Sequence, residues 1–132
     1  MNKLVKKILI VALFLGMFGV NQMSNAGARN IGSLNGIWIN NLFETNTPSL
    51  IKTVWNGWYV VNLSGTANTS RVRSQLQNSN GEKKSQWNLT TGGDRDNYYT
   101  INCKEGYYYH LALLNDKWGR DDIYGTWSPD HY

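Results

Sequence analysis

The chain is 132 residues long, 13% aromatic, and carries 13 Lys and Arg against 9 Asp and Glu. Its net charge of +4 and pI near 9.2 suit a polyanion partner, but three of those charges, Lys3, Lys6 and Lys7, lie in an amino-terminal segment expected to be cleaved. What remains, ten basic against nine acidic residues with no basic stripe, excludes nucleic acid as the partner, and the single cysteine, Cys103, excludes an internal disulfide.

The three lysines precede an apolar run from Ile8 to Val20. A bilayer core takes about 20 apolar residues to span, so this run is too short for an anchor and suits the core of a secretory signal. Small residues at Ser24-Asn25-Ala26 and Ala26-Gly27-Ala28 supply two cleavage frames. Residues 1–26 are therefore expected to be a helical signal peptide whose removal leaves 27–132 as one secreted domain, without a stable membrane anchor and read as a monomer. A domain of roughly 100 residues buries about two-thirds of its unfolded surface. With no disulfide to help, its core must hold it, and Cys103 is expected either to be buried there or to pair with another chain, burial being the commoner fate.

In that domain Trp, Tyr, Val, Ile and Thr alternate with Asn, Gly and Asp, and no stretch keeps a helical period for three turns. This is strand chemistry. Ile37 to Phe43 is the first predicted strand, and Glu44 to Ser49 reads as a loop. Ile51 to Trp55 and Trp58 to Leu63 flank Asn56-Gly57, the preferred pair for a two-residue hairpin turn, which sets Trp55 opposite Trp58. Ser64 to Thr69 reads as loop. Ser70 to Gln77 alternates Val72 and Leu76 with Arg71, Arg73, Gln75 and Gln77, so the former are expected inside and the latter in water. After the turn Asn78-Ser79-Asn80-Gly81, Lys84 to Thr91 returns with Trp87 and Leu89 sharing the apolar face. Beyond Gly92-Gly93-Asp94, Asn97 to Cys103 and Tyr107 to Leu114 are expected to form a hairpin across Lys104-Glu105-Gly106. Ile123 to Trp127 is the last strand, stopped by Pro129. The fold expected is all-β, a small antiparallel β-sandwich of about seven strands, with a small β-barrel as the alternative.

Catalytic and metal-binding patterns are missing. His110 and His131 are the only imidazoles, and the hairpin register keeps His110 away from Cys103. Neither HxxxH nor CxxC spacing occurs, the carboxylates of Asp94, Asp96, Asp116, Asp121 and Asp122 lack an EF-hand pattern, and no spacing selects a carboxylate pair for glycoside hydrolysis. No enzyme activity, cofactor or metal is expected. The Asn-x-Ser/Thr triplets at Asn62, Asn68 and Asn88 are read as chance in an Asn-rich chain.

The sequence from Tyr107-Tyr108-Tyr109-His110 through Ile123-Tyr124-Gly125-Thr126-Trp127-Ser128-Pro129-Asp130, with Arg71-x-Arg73 and Trp87-Asn88-Leu89 before it, resembles the carboxyl end of small exported proteins of Bacillus-type Gram-positive bacteria whose function is unassigned. The likeness covers roughly the last 60 residues. It implies export and a β fold, and carries over no catalytic residues.

What stands out is aromatic density at turns. Trp118 in the loop Asn115 to Asp122, Tyr108, and the Trp55 and Trp58 pair are the candidate ligand-binding residues, because ring faces stack on the C–H faces of sugars while neighbouring amides bond hydroxyls. Trp87 and Trp127 are expected in the core. The reading is a secreted, non-enzymatic binding protein for glycan or cell-envelope polymer. The alternative is a small secreted bacteriocin- or toxin-like antagonist of other bacteria.

Overall fold

Runs of β-branched and aromatic residues, cut by glycine and asparagine corners, produce ten strands. The computed structural model describes residues 29–68 and 70–131, and the predicted signal peptide lies outside the described residues. The strands are β1 (Gly32–Ser33), β2 (Ile37–Ile39), β3 (Thr45–Asn46), β4 (Leu50–Ile51), β5 (Trp58–Thr66), β6 (Arg71–Asn78), β7 (Asn88–Thr91), β8 (Arg95–Tyr99), β9 (Tyr108–Asn115) and β10 (Asp121–Ser128). No helix occurs among the described residues.

The strands form two antiparallel sheets that are not closed into a barrel. In the first the order is β1-β10-β5-β8, with β2 also on β10; in the second it is β3-β9-β6-β7, with β4 also on β9. The short strands β1 and β2 are one interrupted partner of β10, and β3 and β4 one interrupted partner of β9. The chain then reads as a ribbon folded at its middle: first strand with last, second with next to last, β5 with β8, and β6 with β7. That nesting is the double-Greek-key order of jelly rolls.

The nesting overturns two of the expected hairpins. Asn56 and Gly57 do take positive φ, at 49° and 77°, yet the strands on either side belong to different sheets. The corner hands the chain across the sandwich, and Trp58 stands opposite Tyr99 rather than Trp55. Likewise β8 and β9 do not pair across Lys104-Glu105-Gly106, and His110 opposes Gln77. The β6–β7 hairpin forms as expected. The first predicted strand stops at Ile39 because the Asn40 side chain accepts the N–H groups of Leu42 and Phe43, both at 2.7 Å, in an Asx turn. Inside the expected loop Glu44 to Ser49, Thr45 and Asn46 pair with β9.

Facing rows fill the core: Tyr59, Val61 and Leu63 of β5 and Ile123 and Trp127 of β10 meet Val72 and Leu76 of β6 and Tyr109, Leu111 and Leu113 of β9. Cys103 is fully buried among them. Trp127 is in the core as expected; Trp87 is not. On β7 it is the polar residues that turn inward, Asn88 donating to Tyr59 Oη at 2.9 Å and Thr90 Oγ1 sharing a 2.6 Å hydrogen bond with Tyr98 Oη. Trp87 and Leu89 consequently face out, and the Arg73 guanidinium sits 5.4 Å from the Trp87 ring centroid. Gln75 and Gln77 do point away from the core, yet each is only 7% exposed, locked with His110 in a hydrogen-bonded row.

Candidate functional site: an aromatic end of the sandwich

Strands β5 and β9 both start at the same end of the sandwich, at Trp58 and Tyr108. The segment Thr100 to Gly106, between β8 and β9, crosses this end and ties the two sheets together. The backbone N–H and Oγ1 of Thr100 donate to Gly57 O, and Ile101 N–H donates to Lys84 O at 2.8 Å. Asn56 and Cys103 are joined twice: Asn56 N–H donates to Cys103 O at 2.7 Å, and Cys103 N–H to Asn56 Oδ1 at 3.0 Å. Lys104 N–H donates to the Tyr109 hydroxyl, and Gly106 N–H to Lys52 O. Both non-glycine residues found with positive φ among the described residues, Asn56 and Asn102, belong to this end. Left-handed backbone at a non-glycine residue costs free energy and persists where surrounding bonds impose it.

Around this stitched backbone lie Trp55, Trp58, Tyr99, Ile101, Tyr107 and Tyr108, all exposed. Two clefts are cut into it. One, of about 330 Å³, opens where the edge strands β7 and β8 meet across the sandwich, walled by Trp58, Tyr99 and Ile101 and carrying the amide side chains of Gln86, Asn88 and Asn97. Trp58 and Tyr99 are directly opposed across β5 and β8, and their rings stack with centroids 4.0 Å apart and planes 27° from parallel. The stack orients the two rings against each other, and the Asn88 amide is itself held by Tyr59 Oη and Gln86 O. Such an arrangement presents ring faces beside oriented donors and acceptors, at little entropic cost on binding.

The second cleft, of about 360 Å³, lies on the β6–β9 side and is lined by Asn78, Asn80, Asn102, Tyr107 and Tyr108 together with Lys84 and Lys104. The Lys84–Ile101 backbone hydrogen bond joins a residue lining the second cleft to one lining the first. Burial pushes the Cys103 thiol up, away from thiolate, against the opposing pull of Thr100 and the charges of Lys52 and Lys84. His110 is on the outer face of the second sheet, bonded to Gln77, and burial pushes its imidazole down, with Glu44 opposing. Among the described residues no group of three His, Cys, Asp or Glu side chains is placed to hold a metal ion.

Of the residues singled out from the sequence, Trp58 and Tyr108 each line a cleft, and Trp55 is exposed on the corner between β4 and β5 at the same end. Trp118, 82% exposed, follows the far end of β9 and so sits at the opposite end of the molecule; the four do not converge on one site. Sequence reasoning missed Tyr99, Ile101 and the three amides. The Tyr98-Tyr99 pair was the available signal, since alternation puts one ring in the core and the other outside. Comparison with family models, with curated proteins and with solved structures gives no match for this chain.

Proposed function

We propose that this is a secreted, non-enzymatic binding protein that holds a glycan or other cell-envelope polymer on its aromatic end. The observation that carries the reading is the stacked Trp58–Tyr99 pair in a cleft lined by neutral amides and without a charged side chain. A pyranose ring offers an apolar C–H face to such a platform and hydroxyls to Gln86, Asn88 and Asn97. Export is supported by the charged and apolar layout of residues 1–26.

The test is a tryptophan fluorescence titration of the mature protein with purified bacterial cell-wall polysaccharide. Saturable quenching or a blue shift is expected for the parent protein, a loss of at least tenfold in affinity for Tyr99→Ala and Trp58→Ala, and no loss for Trp118→Ala at the far end. Retention of full affinity by both Tyr99→Ala and Trp58→Ala overturns the assignment of this cleft.

A further inference from the structure

The two clefts of the aromatic end differ in one chemical respect. The stacked-ring cleft is lined without a charged side chain. The other is lined by Lys84 and Lys104 and by no carboxylate. Neither lysine forms an ion pair among the described residues. The acidic residues closest in sequence, Glu82 and Glu105, are not part of the lining, and Glu82 Oε1 is occupied by the Asn78 amide at 2.7 Å. Since the predicted mature chain is nearly balanced in charge, two lysines without an ion-pair partner lining one cleft make a local asymmetry.

We infer that the second cleft takes the anionic units of the same polymer, carboxylate or phosphate, through Lys84 and Lys104, while the stacked-ring cleft takes its neutral sugars. The inference rests on reading the aromatic end as glycan-binding. The two clefts are neighbours: Ile101 lines one, Lys84 and Asn102 line the other, and Ile101 N–H donates to Lys84 O, so a chain crossing that bond reaches both. Lys84 is positioned for this by its backbone, which donates to Leu76 O at 2.7 Å as well as accepting from Ile101. Tyr107, Tyr108 and the amides of Asn80 and Asn102 leave the rest of the cleft suited to hydroxyls. Ammonium groups on flexible stems donate to carboxylate and phosphate oxygens alike, so the chemistry shared by the two is what the cleft reads.

The experiment compares three polymers by fluorescence titration of the mature protein: neutral dextran, the uronate polymer alginate, and poly(glycerol phosphate). Each is measured at about 25 mM and about 300 mM NaCl, conditions that leave and then screen exposed charge pairs. The parent protein is expected to prefer one or both anionic polymers over dextran by roughly tenfold at low salt, as two exposed ion pairs supply, and to lose that preference at high salt. Which anionic polymer wins tells carboxylate from phosphate. The double variant Lys84→Gln/Lys104→Gln should bring the anionic polymers down to the dextran affinity without changing dextran itself, and Lys84→Arg/Lys104→Arg should keep the preference. A glutamine variant that keeps the preference, or a parent protein that binds dextran equally well, overturns the inference and leaves the glycan reading standing. Failure of the parent protein to bind any of the three and the cell-wall polysaccharide overturns that reading and the inference with it.

Discussion

Lys52 Nζ lies 3.1 Å from Asp130 Oδ1, and neither side chain has any exposure to solvent. The ammonium also donates to Pro129 O at 2.6 Å, and the carboxylate accepts Thr53 N–H and Oγ1 and Val54 N–H. The pair clamps the chain just past β10 onto the corner that leads into β5, and Lys52 O in turn holds Gly106 of the crossing segment. A buried pair of this kind adds little over an apolar substitute, but breaking it is costly because the surviving charge loses its compensation. Lys52→Met is expected to lower unfolding free energy by about 3–5 kcal/mol in urea titration, and Lys52→Met/Asp130→Leu to lose less than the single variant. A single variant as stable as the parent would remove the clamp from the account.

Acid should destabilise the fold in two separate steps. Burial pushes the His110 imidazole below its ordinary value of 6.5, so the unfolded chain binds that proton more readily. Stability present above about pH 6.5 is therefore lost as pH falls towards the folded-state value. The second step belongs to Asp121. Burial alone would raise its carboxyl, but hydrogen bonds from Ser70, from Asn68 N–H and from Asp122 N–H outweigh that and hold it below 3.8. Its contribution is complete above pH 3.8 and disappears as pH drops through the lower folded value. Melting temperature followed from pH 8 to pH 2 should show both declines. His110→Gln should remove the first and Asp121→Asn the second; a profile flat between pH 7 and pH 5 contradicts the His110 step.

Strand chemistry, the β6–β7 hairpin and the two-sheet architecture were legible in the sequence, whereas the pairing of the other strands was not. The reason is that local turn signals report backbone conformation, not partners. Asn56-Gly57 has the positive φ values its residues favour, but long-range nesting sends its two arms to different sheets. Face assignments failed where tyrosines reach polar groups across the core. Because the Tyr59 and Tyr98 hydroxyls take partners from β7, Asn88 and Thr90 turn inward to meet them, and Trp87 is left half-buried outside the core under Arg73. At the candidate site, Trp58 and Tyr108 were visible as exposed aromatics in strand termini. Alternation along Tyr98-Tyr99 marks one outward ring, but its place against Trp58 follows only from the β5–β8 register.

Cys103 provides a sensitive report on the aromatic end. It is wholly buried, and burial raises its thiol, so native protein at pH 8 should react with a disulfide reagent orders of magnitude more slowly than unfolded protein. Asn56→Ala removes the Oδ1 that accepts Cys103 N–H and puts alanine at a φ of 49°, so it should speed labelling under native conditions. Equal labelling rates in the variant and the parent protein would mean that the crossing segment does not depend on this bond.

Gly125 marks the one place where β10 shifts register against β5, between Tyr124 and Gly125. Its φ of 144° and the Asn62 carbonyl directly where a Cβ would stand leave no room for any other residue. The bulge lets Gly125 N–H turn to Asn35 Oδ1, at 2.9 Å, which anchors the interruption between β1 and β2. Because Asn62 O is backbone within a strand held on both sides, it cannot move aside cheaply. Gly125→Ala is therefore expected to cost about 3 kcal/mol or more in urea unfolding, against less than about 1 kcal/mol for Gly65→Ala, where a Cβ meets open space. Similar stabilities for the two variants would show that the register shift is not imposed by the missing side chain.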